Sequence, residues 1–199
     1  AKGGEIIDRI VLPCPGIHHV THALIAYAAA VKAGCDGTAV CRKLESFRLD
    51  GLRQHIEHRK GQTLIIDCYN AAPNSMMAAI DVLCDTKPAS GGKRVAVLGD
   101  MLELGTDEKR LHREIGTYVM EKEIDVLICV GALGKEIFNQ ADQEHVNGKG
   151  PHKAELYYFA TLQEAEKKLL DILKKGDSIL LKASHGMHFE KLVEMLQDI

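Results

Sequence analysis

The sequence predicts an α/β protein built around a mostly parallel sheet. Three segments, VAVLG, DVLICVG and SILLKAS, are almost continuously apolar, as strands buried on both faces must be. Segments with apolar residues at helical spacing lie between the strands, for example Met76, Ala79, Ile80 and Leu83. Alternation of such strands and helices is typical of a parallel sheet flanked by helices. The expected fold is therefore Rossmann-like.

The periodicity predicts the elements in chain order. An extended run over 6–12 leads to the break PCPG, and helices are expected over 19–33 and 37–44. After residue 50 the alternation becomes regular. Strands are predicted over 53–58, 63–67, 94–98, 125–130, 155–159 and 177–182, and helices over 75–84, 107–121, 133–141, 161–174 and 187–197. The polar stretch 142–153 is predicted to be a surface loop.

Residues 1–48 do not share this alternation. One extended run and two helices are too few to enclose a core, so this part is expected to be the end of a larger domain, followed by a complete domain over 49–199. The charged segment ESFRLDGLRQ marks the boundary. It is expected to act as a hinge, because Gly51 tolerates a wide range of backbone angles. Arg53 lies beside this boundary, where a solvated arginine is the simplest interpretation.

Composition and missing motifs exclude several classes of protein. The net charge is -3 and the chain has no basic stripe, which argues against nucleic-acid binding. No apolar run approaches the roughly 20 residues that span a bilayer. The six cysteines are scattered without a CxxC motif, which is typical of reduced thiols in a cytoplasmic protein. The chain also lacks a GxxxxGK[ST] phosphate loop and a GxGxxG after its first strand.

Three histidines surround a predicted helix start in PGIHHVTHAL. They are His18, His19 and His22. His18 and His22 are four residues apart and could share a metal, but a metal site needs further ligands. An ordinary first helical turn is the favoured interpretation, and no metal site is predicted.

Polar residues also occupy the turn of TLIIDCYNAAPNSMMAAIDVL, between a predicted strand and a helix. Asp67, Tyr69 and Asn70 follow the strand, and Asn74 or Ser75 can cap the helix. Turns at this position are where α/β proteins usually bind ligands. A capping turn with a buried tyrosine is the alternative interpretation.

Two further strand ends carry polar residues. In LGDMLELG, Asp100 and Glu103 are expected either to cap a helix or to hold a cationic group of a ligand. Ser184 and His185 follow the last strand, but the absence of a GxSxG elbow argues against a hydrolase. His112 lies on an apolar helix face and is predicted to be structural.

The succession of PGIHHVTHAL, GLRQ, IIDCYNAAPNSMMAAIDVL, VAVLGDMLELG and ILLKASHGMHFE resembles the Mur ligase family over nearly the whole chain. Its D-x-YNA-x-P-x-S and LGDMLELG motifs resemble those of the member that joins D-Ala-D-Ala to UDP-MurNAc-tripeptide. The resemblance implies an ATP-dependent amide-bond ligase of peptidoglycan precursor synthesis that acts through an acyl phosphate. It also implies that 1–48 ends a central ATP-binding domain and that 49–199 is the Rossmann-like C-terminal domain.

The same resemblance implies roles for individual residues. Arg53 stands where the family has an arginine close to the ATP phosphates, which makes it the expected catalytic residue. Asp67 corresponds to an aspartate that approaches the ribose, and Asn70 supports the same turn. The residues expected on the acceptor side, where the dipeptide binds, are Tyr69, Ser75, Asp100, Ser184 and His185.

The family turn that reaches adenine corresponds to residues 16–22. His18 is retained, whereas His19 and His22 replace two asparagines and Ile17 replaces an arginine. An imidazole cannot supply the paired donor and acceptor of a carboxamide. The three histidines are nevertheless the adenine contacts that the resemblance implies.

The resemblance implies ATP and Mg²⁺ as cofactors, and ATP, UDP-MurNAc-tripeptide and D-Ala-D-Ala as small-molecule substrates. It places the magnesium ligands, a carbamylated lysine and the phosphate-binding lysine in sequence upstream of Ala1. The 199-residue chain is therefore expected to have no ligase activity alone. The alternatives are another Mur ligase, a folylpolyglutamate synthetase-like ligase, or a non-catalytic Rossmann-like binding module.

Overall fold

A computed structural model describes residues 9–49, 51–148 and 154–197. The chain divides into two compact units, Ala1–Leu49 and Asp50–Ile199. Within the described ranges, no helix combines the length and the apolarity that crossing a membrane requires.

The first unit contains two described helices, α1 (Ile17–Lys32) and α2 (Gly37–Glu45). The Asp36 carboxylate caps α2 by accepting a backbone hydrogen bond of 2.9 Å. Of the extended run expected over 6–12, residues 9–12 form no strand, and the earlier part lies outside the described residues.

Helix α1 leaves much of its apolar surface exposed. Ile17, Leu24 and Ile25 have exposed fractions of 81%, 59% and 63%. Among the described residues of this unit, the buried hydrophobic side chains are Ala23 and Cys41. Two helices alone therefore enclose only a very small core.

The described residues of the second unit form a six-stranded sheet. The strands are β1 (His55–Arg59), β2 (Gln62–Asp67), β3 (Arg94–Leu98), β4 (Val126–Val130), β5 (Glu155–Phe159) and β6 (Ser178–Lys182). Their order across the sheet is β1-β2-β6-β3-β4-β5. The edge strand β1 pairs with β2 in antiparallel fashion, and all other neighbours are parallel. The predicted fold class, α/β with a mostly parallel sheet, is confirmed.

Helices cover both faces of this sheet. They are α3 (Pro73–Asp85), α4 (Glu108–Met120), α5 (Gly134–Val146), α6 (Leu162–Ile172) and α7 (Glu190–Gln197), with short 3₁₀ turns at Gly105–Asp107 and His185–Met187. Residues of α3, α4 and α5 pack into one apolar cluster with one face of the sheet. Residues of α6 and α7 pack into a second cluster on the other face. Every residue of β4 and β6 is buried, as strands covered on both faces require.

Two predicted boundaries were wrong by more than two residues. Helix α5 continues to Val146, so the expected surface loop does not begin at residue 142, and 149–153 lie outside the described residues. The last helix was expected from residue 187, but the chain first makes a 3₁₀ turn and α7 begins at Glu190.

The chain diverges at the carboxyl ends of three neighbouring strands. The helices that follow β2 and β3 lie on one face of the sheet, whereas α7, which follows β6 between them, lies on the other. Such a divergence opens a crevice where α/β proteins bind ligands. We call the ends of these strands, with residues 68–72, 99–107 and 183–189, the β2–β6–β3 edge.

Candidate functional site

A buried ion pair underlies the β2–β6–β3 edge. Asp67 and Lys182 are direct partners in the parallel ladder of β2 and β6. The Nζ of Lys182 donates to Asp67 Oδ2 at 2.7 Å and to the backbone oxygen of Asn70 at 3.0 Å. The exposed fractions of the two side chains are 1% for Lys182 and 16% for Asp67. A buried ammonium costs several kcal/mol unless it is paired and hydrogen-bonded, so these contacts allow a lysine inside an apolar strand.

Lys182 was missed by the sequence analysis. The available signal was a charged residue inside the otherwise apolar SILLKAS, since lysine is almost never fully buried unless it is paired. The bond to the Asn70 oxygen holds the turn between β2 and α3. Asn70 thus helps to hold this turn through its backbone oxygen. Its role in ligand binding stays a prediction.

The second oxygen of Asp67 ties in the segment before β1. Oδ1 accepts a hydrogen bond of 3.2 Å from the backbone N–H of Gln54, a buried residue with φ 47. The N–H of Tyr69 donates to the backbone oxygen of Leu52 at 3.1 Å. These bonds flank Arg53 and place it at the edge. An ionised carboxylate offers about four lone-pair positions, so Asp67 keeps acceptor capacity beyond these two partners.

Arg53 and Tyr69 stack on each other at this edge. The guanidinium carbon of Arg53 lies 3.9 Å from the centre of the Tyr69 ring. The ring centre of Tyr69 also lies 5.6 Å from that of His185, which follows β6. The exposed fraction of Tyr69 is 46%, so the alternative expectation of a buried tyrosine was wrong. An arginine, a tyrosine and a histidine thus meet where the chain diverges.

The start of α3 differs in detail from the expectation. The N-cap is Ala72, Pro73 is the first helical residue, and neither Asn74 nor Ser75 occupies the cap position. Ser75 acts from inside the first turn, where its Oγ accepts a hydrogen bond of 3.0 Å from the N–H of Ala72. Proline suits the first helical position because that N–H has no helical partner.

Asp100 is buried at the end of β3, with an exposed fraction of 6%. Its Oδ1 accepts hydrogen bonds from the N–H groups of Leu133 at 3.0 Å and Gly134 at 2.6 Å. The carboxylate therefore caps the N-terminus of α5, the first of the two roles expected for it. Burial raises the pKa of Asp100 above its ordinary value, although the hydrogen bonds from these N–H groups oppose that shift. Its acceptor-side role stays a prediction.

His112 and Ser184 fix the same loop. The fully buried His112 ring accepts a hydrogen bond of 2.9 Å at Nε2 from the N–H of Met101. Its Nδ1 lies 2.6 Å from the backbone oxygen of Glu108. That carbonyl can only accept, so the ring carries its proton on Nδ1 and is neutral. The Oγ of Ser184 accepts from the N–H of Leu102 at 2.9 Å. The His112 ring is buried and both of its nitrogens have partners within the fold, as a structural histidine requires.

A close approach of loops explains Gly99. A Cβ at this position would lie 2.8 Å from Ala183 Cβ and 2.8 Å from the Phe189 ring. The N–H of Gly99 donates to the backbone oxygen of Lys182 at 2.9 Å, and the N–H of Ser184 donates to that of Asp100 at 3.1 Å. The β3–β6 contact therefore continues past the ends of both strands.

The three histidines belong to the first unit, whereas all other predicted site residues belong to the second. The ring centres of His18 and His19 are 4.1 Å apart, and His22 lies 5.8 and 5.7 Å from them. The described residues contain no group of three or more side chains that could hold a metal ion. Adenine contact by these histidines stays a prediction.

The comparisons with known proteins decide the family. The model of the family described as "Mur ligase, glutamate ligase domain" matches residues 53–185, which include the whole β2–β6–β3 edge up to His185. The chain belongs to the Mur ligase family. The resemblance read from the motifs is thus confirmed.

Two relatives of this Mur ligase chain share a name. The chain is 36% identical over 98% of its length to the UDP-N-acetylmuramoyl-tripeptide–D-alanyl-D-alanine ligase of Bacillus subtilis, and covers 41% of that protein. It is 31% identical over 95% of its length to the Escherichia coli ligase of the same name, and covers 39% of it. The crystal structure of MurF from Acinetobacter baumannii superposes with a TM-score of 0.82 at 28% identity, covering 96% of this chain and 39% of that one.

Proposed function

We propose that this chain is part of an ATP-dependent ligase that adds D-Ala-D-Ala to UDP-MurNAc-tripeptide. The names of its relatives support the reaction, at 36% and 31% identity over nearly the whole chain. The observation that carries the proposal is the environment of Arg53. Its guanidinium rests on the Tyr69 ring beside the paired Asp67, at the edge where α/β folds bind ligands.

The chain spans about two fifths of the length of these relatives, 41% and 39%. In the proposal, residues 1–48 end a central ATP-binding domain and residues 49–199 form the C-terminal domain. The division into units after Leu49 and the family match from residue 53 support this boundary.

The reaction requires two steps that balance. The carboxylate of the tripeptide attacks the γ-phosphorus of ATP, which gives an acyl phosphate and ADP. The amine of D-Ala-D-Ala, after loss of a proton, then attacks the acyl carbon, and phosphate leaves from the tetrahedral intermediate. Phosphoryl transfer spreads negative charge over three equatorial oxygens. Arg53 is proposed to donate to these oxygens, since a guanidinium is always charged and matches phosphate geometry.

The other predicted site residues include exposed and buried side chains, and we propose different roles for the two groups. Asp67 is proposed to accept from the ribose with its remaining lone pairs, and the histidines at 18, 19 and 22 to contact the adenine. On the acceptor side, Ser75 and His185 are exposed and are proposed to touch the dipeptide. The buried Asp100 and Ser184 are proposed to act by holding the loops.

A magnesium ion would neutralise phosphate charge in such a reaction. The described residues offer no group of ligands that fits one. The magnesium ligands are therefore proposed to lie in protein outside this chain, and the 199-residue chain is proposed to be inactive alone.

Phosphate release tests the proposal. The longer protein that contains this chain is incubated with ATP, UDP-MurNAc-tripeptide and D-Ala-D-Ala, and each substrate is omitted in turn. We expect release only with all three present, and none from the 199-residue chain alone. Turnover by the chain alone would overturn the assignment of its catalytic parts to other sequence.

A non-catalytic binding module is the second candidate. The histidines at 19 and 22, where the family has asparagines, are the observation in its favour. A longer protein that binds ATP but releases no phosphate with the complete substrate set would favour the module over the ligase.

A further inference from the structure

The surroundings of Arg53 are unusual for a surface arginine. Among the described residues, the structure gives its guanidinium no hydrogen bond and no ion pair. Its one recorded contact is with the ring of Tyr69, 3.9 Å from the guanidinium carbon. A guanidinium is planar, and all five of its N–H donors lie in that plane. Contact through its face therefore leaves every donor available to an anion.

Hydrogen bonds hold the backbone of Tyr69 and of the residue after it. The N–H of Tyr69 donates to the backbone oxygen of Leu52, so the stacked pair is also joined through the main chain. The next residue, Asn70, is bonded through its oxygen to the buried ammonium of Lys182 at 3.0 Å. The ring thus stands on a fixed backbone while 46% of the residue is exposed.

We propose that Tyr69 is a positioning residue for Arg53. Its ring face holds the guanidinium so that the in-plane donors meet the transferring phosphoryl group without first being ordered. This inference rests on the proposed function and reassigns Tyr69, which sequence resemblance placed on the acceptor side. A long arginine side chain otherwise loses much rotamer entropy when it is fixed, and stacking removes part of that cost before ATP binds.

Three variants in the longer ligase test the assignment. Tyr69→Leu removes the aromatic face, and we expect kcat to fall by about 5- to 30-fold, the change that corresponds to a cation–π contact of about 1 to 2 kcal/mol. Tyr69→Phe keeps the face, so it should restore most of the turnover. Tyr118→Leu is the matched control, because it removes another cation–π contact, with Lys122 at 4.5 Å, away from the edge. It should leave kcat within about 2-fold.

A double-mutant cycle separates positioning from a merely structural role. In an Arg53→Ala background, Tyr69→Leu should lower kcat no further, because coupled residues are not additive. Full additivity of the two losses would overturn the inference. A higher KM for D-Ala-D-Ala in Tyr69→Phe would also overturn the inference, because that result would indicate that the Tyr69 hydroxyl contacts the dipeptide.

Arg53→Lys gives an independent measurement if Tyr69→Leu lowers thermal stability. The ammonium keeps the charge but loses the planar stack and the forked donors. We expect a loss of turnover at least as large as that of Tyr69→Leu, and wild-type turnover in Arg53→Lys would contradict the proposal. If the wild-type longer protein shows no turnover with the complete substrate set, the proposed function fails and this inference fails with it.

Discussion

The turn after β2 and the loop after β3 begin alike and end differently. Each carries an aspartate at the carboxyl end of a parallel strand, Asp67 in one and Asp100 in the other. Asp67 pairs with a lysine side chain from the adjacent strand and is followed by the exposed Tyr69, on which Arg53 rests. Asp100 caps a helix with its carboxylate and is followed by backbone groups bonded to His112 and to Ser184.

A carboxylate at a strand end therefore does not by itself indicate a ligand site. The groups that bond to the carboxylate decide whether the surrounding turn can bind a ligand. In the loop after β3, the polar groups satisfy one another and tie β3, β6, α4 and α5 together. In the turn after β2, Asp67 bonds to Lys182 and to Gln54 and so holds the backbone. The side chains of Arg53 and Tyr69 remain exposed.

The largest effect on stability should come from the ion pair under the turn. Lys182→Met leaves the Asp67 carboxylate without its cation. We expect a loss of about 3–5 kcal/mol in the free energy of unfolding, because breaking a buried pair strands a charge. Urea denaturation of the chain measures it, with the exposed Lys109→Met as a control within about 0.5 kcal/mol. Adding Asp67→Asn to Lys182→Met should recover much of the loss, and a single-variant loss below about 1 kcal/mol would contradict this account.

A somewhat smaller effect is expected in the loop after β3. His112→Ala removes a fully buried ring and leaves the N–H of Met101 without its acceptor. We expect about 2–3 kcal/mol of lost stability, with turnover of the longer ligase retained below its melting temperature. Differential scanning calorimetry and a phosphate-release assay on the same preparation check both halves. Abolished turnover at unchanged stability would instead place His112 in the active site and would contradict the structural role assigned to the loop after β3.

The smallest effect concerns the pH dependence that Asp100 contributes. Burial raises its pKa in the folded protein, so the stability gained from the bound proton is present below the unfolded pKa and is lost as pH rises through the folded pKa. Asp100→Asn does not titrate, and its amide oxygen can still accept from the N-terminus of α5. Between about pH 3 and pH 7, wild type should therefore lose stability relative to the variant. Urea denaturation at a series of pH values measures this, and a relative gain by wild type would show that the helix end favours the charged form.

Much of the fold could be predicted because buried parallel strands leave a clear pattern. The boundaries of β3 and β5 match the predicted 94–98 and 155–159, and the apolar run of β3 lies between Arg94 and Gly99. The ion pair could not be predicted, because it depends on strand order. Sequential strands are usually neighbours, whereas β6 inserts between β2 and β3 and brings Lys182 beside a residue 115 positions earlier.

The candidate site was only partly visible in the sequence for the same reason. Motifs indicated Arg53, Asp67 and Tyr69 but not their contacts. The stack of Arg53 on Tyr69 requires the segment before β1 to fold back along β2, which is set by backbone bonds at Leu52 and Gln54. Likewise, the partner of Asp100 is the start of a helix 33 residues later, a distance over which local pattern carries no information.

The most direct test compares the two regions by turnover in the longer ligase. Arg53→Ala should lower kcat by about 10³-fold at unchanged thermal stability, because it removes the charge that we propose acts on the transferring phosphoryl group. Asp67→Ala should lower stability, because it leaves the buried Lys182 ammonium without its carboxylate. Below its melting temperature this variant should mainly raise the KM for ATP, since a ribose contact is made equally in ground and transition states. His112→Ala should spare kcat. If His112→Ala abolished turnover while Arg53→Ala remained active, the functional site would lie in the loop after β3 and the assignment of the β2 turn would be wrong.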